Sequence, residues 1–261
     1  MDARQFLQVI EHQPAAWDLP VRVELAGGRG QLFGGVALGA VVEQLEALTG
    51  RPAVWATGQY ISNAFPPDVV RLDAEVVVEG HNLTQARVLG HVDGREVLTV
   101  HAALGRRDYP GHGRWVVMPV VPGPDQCAPR DTYPDTPGRL HHLVEQRIAA
   151  GEWGDAASSP SGLARVWVRM PDSLMGSTLG LAIAADFIPL AIRAALGRES
   201  AFGASLDNTV RYVTRADTEW VLADFAMAAI DDGIGHGSVR LWSPDGELLA
   251  VGSQTCMLRD L

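Results

Sequence analysis

LMGSTLGLAIAADFIPLAIRAALG, residues 174–197, is apolar on every side of a helix, with one carboxylate, Asp186, in its middle. No polar stripe runs along it, so the segment predicts one helix enclosed by other structure. A lone carboxylate in such a place costs several kcal/mol, about 2–7 for a polar group and more for a charge, unless it is hydrogen-bonded or kept neutral. Asp186 therefore either caps something structural or is there for chemistry. An earlier run, VALGAVVEQLEALTG, is a second apolar helix that stops at the C-cap glycine Gly50.

Outward from these helices the chain alternates. Ala3 to His12 has helical spacing, with Phe6, Leu7 and Ile10 on one side, and Val21 to Leu25 reads as a short strand. After the first helix come four strand-like segments: Ala53–Asn63, Val69–Glu79, Thr84–Val92 and Arg95–Gly105. The last two are joined by the hairpin signal Asp93-Gly94. Arg106 to about Gly138 is rich in Pro, Gly and Asp and reads as a linker, in which Trp115-Val116-Val117-Met118 is expected to dock. Beyond it, Leu143–Ile148 and Ala164–Met170 are strands. Arg165, Trp167 and Arg169 face the opposite way from Val166 and Val168. Past the Asp186 helix lie four more strands: Ala204–Thr214, Trp220–Ala229, Gly237–Trp242 and Leu248–Leu258.

The halves repeat. Gly50-Arg51 and Gly197-Arg198 close the two helices 147 residues apart. Asp93 to Arg107 and Asp245 to Arg259 span the same 14 residues across the last hairpin. Equal spacing and equal element order indicate a duplicated unit. The reading is α+β, two antiparallel sheets each wrapped on a long central helix and joined side by side, which would remove exposed sheet edges. Units are expected at 1–106 and 140–261, with 107–139 between. Laid over one another, Asp186 faces Gly39, Ser205 faces Gly58 and Gln254 faces Ala102. Three polar residues of the second copy thus oppose inert ones in the first, as a single active site per duplicated chain would leave behind.

Composition narrows the class. A net charge of -10 argues against a nucleic-acid binder. All 21 basic residues are Arg, so a ligand phosphate must be met by Arg, His or backbone amides. Cys127 and Cys256 make no disulfide framework or metal cluster, which points to a reducing, cytoplasmic setting. No run reads as long enough to span a membrane. His141-His142 lacks a carboxylate at zinc spacing, His101 reads as a packed or surface strand residue and His236 as a loop residue, and GGRGQLFGG lacks the Lys of a nucleotide loop.

LFGGVALGAVVEQL, AADFIPLA, ASLDNTVRYV and LLAVGSQTCMLRD together resemble the acyl-CoA thioesterase II (TesB-like) family, over nearly all of the chain. The resemblance implies a double hotdog and hydrolysis of acyl-CoA to free fatty acid and CoA, with no cofactor or metal. It also implies further pairing of copies into a homo-oligomer. In that family an Asp, a Ser or Thr and a Gln hold the hydrolytic water; by position these fall on Asp186, Ser205 and Gln254. The strand motif usually carries His where this chain has Asn208. A buried Asp is a better base at working pH than a free one. Gly34-Gly35, opening the first helix, offers free amides for the oxyanion, and the acyl chain is expected to run between the helices. Two other readings stay open: a non-catalytic acyl-CoA-binding protein, and a hotdog hydratase or dehydratase, which would want a helix His that neither helix has.

Overall fold

A computed structural model describes residues 2–130, 137–150, 161–196 and 201–260. Its helices are α1 (Ala3–Leu7), α2 (Gly34–Thr49), α3 (Leu140–Leu143), α4 (Thr178–Ala185) and α5 (Ile188–Leu196). The strands are β1 (Ile10–Gln13), β2 (Ala16–Pro20), β3 (Ala53–Tyr60), β4 (Val69–Glu79), β5 (Leu83–Val92), β6 (Arg95–Gly105), β7 (Ala128–Pro129), β8 (Glu145–Ala150), β9 (Leu163–Arg169), β10 (Ala201–Ser205), β11 (Asp207–Tyr212), β12 (Trp220–Asp231), β13 (Ile234–Trp242) and β14 (Leu248–Asp260).

Among the described residues there is one antiparallel sheet where two were expected. Its order is β1-β2-β4-β5-β6-β3-β11-β14-β13-β12-β9-β8-β7, with β10 also on β14. The seam is β3 against β11, where Gly58 lies opposite Asn208 and Thr57 opposite Thr209. The two threonine hydroxyls meet at 2.7 Å, 152 residues apart in sequence. That pair fixes the repeat register: Tyr60 corresponds to Tyr212. Both halves carry an irregularity at the matching point, between Ala53 and Trp55 in β3 and at Leu206 between β10 and β11. The counterpart of Ser205 is therefore Ala53, not Gly58.

Four local expectations change. α1 ends at Leu7, because Gln8 takes a left-handed φ of 55°, and residues 10–13 pair with β2 instead. Val23–Leu25 is a single 3-10 turn. Leu140–Leu143 is a helical turn ahead of β8. The segment expected as one helix is two, broken at Asp186-Phe187. Pro189 explains the break: it has no N–H to offer the Ala185 carbonyl, and its ring clashes there. The expected helix end at Gly197-Arg198 lies outside the described residues.

By length and composition, Thr178–Leu196 does reach the threshold for crossing a membrane, which corrects the reading above. Its apolarity is accounted for by enclosure, since residues 178–185 are all buried. α4 packs on β11 to β14, and α2 on β3, β5 and β6. The two helices cross at glycines. A Cβ at Gly35 would sit 2.6 Å from the Ala182 carbonyl oxygen, and one at Gly39 2.7 Å from Leu179 Cδ1. No acyl chain fits between helices that close, so the expected route is excluded. Gly39→Ala should cost about 1–3 kcal/mol, read as a lower midpoint in thermal melting.

The opposite face of the sheet holds a second cluster built on Trp167, Trp220, Trp242 and Leu248. The expected docking is found in part: Val116, Met118 and Val121 cover this cluster, while Trp115 and Val117 stay exposed. Trp167 donates its indole N–H to the Pro122 carbonyl at 2.9 Å. Val166 and Val168 point into the main core, as the alternation predicted.

Candidate active site

Because α4 ends at Asp186, its side chain leaves the helix axis and reaches across to the start of α2. Its Oδ2 accepts the Gly35 N–H at 2.6 Å. Its Oδ1 accepts from Gln254 Nε2, and Ser205 Oγ stands 3.5 Å away at the limit of a hydrogen bond. Gln254 Nε2 also donates to Ser205 Oγ at 3.0 Å. Ser205 is carried here by the irregularity at Leu206, the kind of local kink that re-aims a side chain. The three polar residues singled out in the sequence are thus brought together.

Asp186 is only 3 % exposed. Burial pushes its carboxyl up to about 7, against the lowering effect of the hydrogen bonds from Gly35, Gln254 and Ser205. The desolvation cost exceeds what three donors return. At neutral pH the group is therefore balanced between proton acceptor and acid.

A cavity of about 620 Å³ opens onto it. Its polar wall includes Gly34, Tyr60, Asp186 and Ser205; its apolar wall includes Leu32, Phe33, Ala64, Val97, Phe187 and Leu190. Gln254 and Gly35 do not line it. Gln254 acts through its two neighbours, and Gly35, expected to offer a free amide, spends it on Asp186. Of the expected pair, only the Gly34 N–H is left without an acceptor among the described residues.

The sister position is also occupied. Glu43 Oε1 accepts the Leu179 N–H at 3.3 Å and the Thr178 hydroxyl at 2.8 Å at the start of α4. Burial raises the Glu43 carboxyl as well. Spatially, then, Asp186 corresponds to Glu43 rather than to Gly39, and a carboxylate at a helix start is a feature of both halves. The difference lies in what surrounds them: Asp186 faces the cavity, whereas Glu46 beside Glu43 is bound to Arg215.

Three cavity aromatics, and His141, which the sequence marks only as lacking a zinc partner, complete the wall. Phe33, Phe187 and His141 form an aromatic group, with ring centroids 5.4–5.9 Å apart. Burial, with Arg130 and other positive neighbours, pushes His141 down to about 4, so it is neutral at working pH. Its signal was weak, since α3 is one turn long. Tyr60 is the fourth; nothing in the sequence distinguishes it within its strand.

A family model of the acyl-CoA thioesterase C-terminal domain matches residues 124–258, just over half of the chain. A putative thioesterase from Novosphingobium aromaticivorans is 33% identical over 96% of this chain and 98% of its own, with a TM-score of 0.87. The chain belongs to the acyl-CoA thioesterase family. It is a thioester hydrolase. This thioesterase shares its fold with a hot dog protein of unknown function from Alicyclobacillus acidocaldarius (17% identity, 99% and 98% of the two chains, TM-score 0.88). It shares it also with acyl-CoA thioesterase II from Mycobacterium marinum (19%, 99% and 98%, 0.77). Comparison with curated protein sequences found no match.

Proposed function

We propose that the protein hydrolyses acyl-CoA to a free fatty acid and CoA, with Asp186 as general base for the attacking water. The observation that carries this is a buried carboxyl near 7 on the wall of a largely apolar cavity. Such a group takes a proton readily at working pH and holds it until the leaving group needs one. Ser205 positions the water beside it, and Gln254 orients both. Water adds to the carbonyl carbon as Asp186 takes its proton. The tetrahedral intermediate then expels the CoA thiolate, which recovers that proton. The acyl group lies against Phe33, Phe187 and Leu190, and no metal or cofactor takes part. In this reading the chain is a double hotdog of units 1–106 and 140–261 linked by 107–139. Two free cysteines suit a reducing cytoplasm.

A carboxylate so close to the substrate could instead attack the carbonyl itself. Single turnover in 18O-water, with enzyme in excess over acyl-CoA, separates the two. General-base hydrolysis puts 18O in the fatty acid in the first turnover. Unlabelled acid in that turnover means attack by Asp186 and overturns the base assignment. Thiol release from a series of acyl-CoA lengths checks the substrate class; binding without release would make this an acyl-CoA-binding protein.

A further inference from the structure

Tyr60 carries a polar group to which the reaction above gives no role. It ends β3, and its backbone N–H donates to the Leu206 carbonyl at 2.9 Å, which pins it across the seam. Its hydroxyl oxygen is buried and has no hydrogen-bond partner. Leaving such a group unpaired costs about 1–3 kcal/mol. Asn208, its neighbour on the inner face of β11, is near enough to act on the phenol as a weak side-chain partner that favours the phenolate, but neither of its amide atoms meets the hydroxyl in good hydrogen-bond geometry.

The position of the hydroxyl is informative. A Cβ built on Gly34 would stand 2.8 Å from Tyr60 Oη and 2.9 Å from Asp186 Oδ2. Three groups thus converge on one point of the cavity wall, and only glycine leaves that point open. Both the Tyr60 hydroxyl and the Gly34 N–H are donors without acceptors there.

The repeat supplies a comparison. Tyr212 occupies the matching place at the end of β11, and its hydroxyl donates to the Thr178 carbonyl at 3.3 Å. Thr178 is the first residue of α4, as Gly34 is of α2. One tyrosine is satisfied by the fold; its twin is left for something that enters the cavity.

We propose that Tyr60 and the Gly34 amide form the oxyanion hole, the phenol donating a hydrogen bond to the thioester carbonyl oxygen. The proposal rests on Asp186 being the base. As hydroxide from the bound water adds to the carbonyl carbon, the C=O electron pair moves onto oxygen. The two donors hold that charge and keep their own protons. When the pair returns, the C–S bond breaks and the thiolate takes the proton stored on Asp186. Burial, reinforced by the nearby Asp186 charge, keeps the phenol far above its ordinary range, so it remains a donor at any working pH.

Tyr60→Phe tests this beside Asp186→Asn. Removal of one oxyanion donor costs roughly 10²–10³ in kcat, with KM changed by less than about threefold, as expected for a contact made in the transition state. An acyl-CoA analogue with a trifluoromethyl ketone in place of the thioester adds water or a nucleophile and mimics the oxyanion. Its affinity should fall by a similar factor in Tyr60→Phe, while a plain ketone analogue binds both proteins alike. Since the hydroxyl makes no hydrogen bond of good geometry in the fold, the Phe variant should melt at or above the parent's midpoint. A lower midpoint shows an internal bond and overturns the proposal. So does a Tyr60→Phe enzyme with parental kcat beside an inactive Asp186→Asn. An active Asp186→Asn with a crippled Tyr60→Phe would instead overturn the base and leave the oxyanion hole standing.

Discussion

Asp186→Asn should lower kcat by roughly 10²–10⁴-fold, the range of a general base, and at the same time make the protein harder to unfold at pH 8. The second effect follows from linkage. The folded-state pKa is raised to about 7 from the 3.8 of an ordinary Asp. Folding therefore favours the protonated form. The stability tied to that proton is fully present below the unfolded value and is lost as pH rises through the folded one. At one unit per 1.36 kcal/mol the loss approaches about 4 kcal/mol above pH 7. Asparagine never ionises, so the variant escapes it. Its Oδ1 can still accept the Gly35 N–H, and a flip of the Gln254 amide turns the partnerless Gln254 Oε1 towards the new donor. Urea denaturation at pH 8 and pH 5 should show the variant ahead at pH 8 and the gap closing on acidification. A variant less stable than the parent at pH 8 would show that the carboxylate is bound too well for burial to dominate.

The rate of the parent enzyme should climb with pH through about 7 and level off above it, because only the ionised carboxyl can take a proton. Gln254→Met should move this limb to higher pH. It removes a donor that favours the ionised form while keeping the volume of the side chain. A hydrogen bond to a charged group is worth about 1.5–3 kcal/mol, which places the displacement at roughly one to two pH units. At pH 7 the variant would then be slowed roughly five- to fiftyfold, and much of the deficit would be recovered at pH 9 in a kcat/KM profile. A uniform loss at every pH would show that Gln254 serves the transition state directly rather than through the base.

Most of the architecture was legible because burial writes itself into periodicity. β4 and β6 have the bounds that alternation predicted, and Gly50 ends α2 with a left-handed φ of 64°. The helix break was missed because apolar composition says nothing about backbone donors; Pro189 carried that message in a single residue. The site was legible as far as its unusual residues went. A carboxylate in an apolar run stands out; a tyrosine at a strand end or a glutamate on a helix does not. Nothing in the sequence sets Glu43 apart, and only its approach to Leu179 shows that it mirrors Asp186. Gly35 and Gly34 look interchangeable in sequence. Which amide stays free is decided by a partner 151 residues away.

That separation also bears on the order of events during synthesis. The amides at the start of α2 emerge from the ribosome long before the carboxylate that will neutralise them, and β3 emerges before the strand it will lie against. Contacts so distant along the chain carry a large loop-closure entropy and form late. Until the second half arrives, the first displays a bare sheet edge at β3, open to pairing with another nascent chain. The same closure that completes the cavity removes that edge, so the polar cluster around Asp186 and protection from aggregation are acquired in one step.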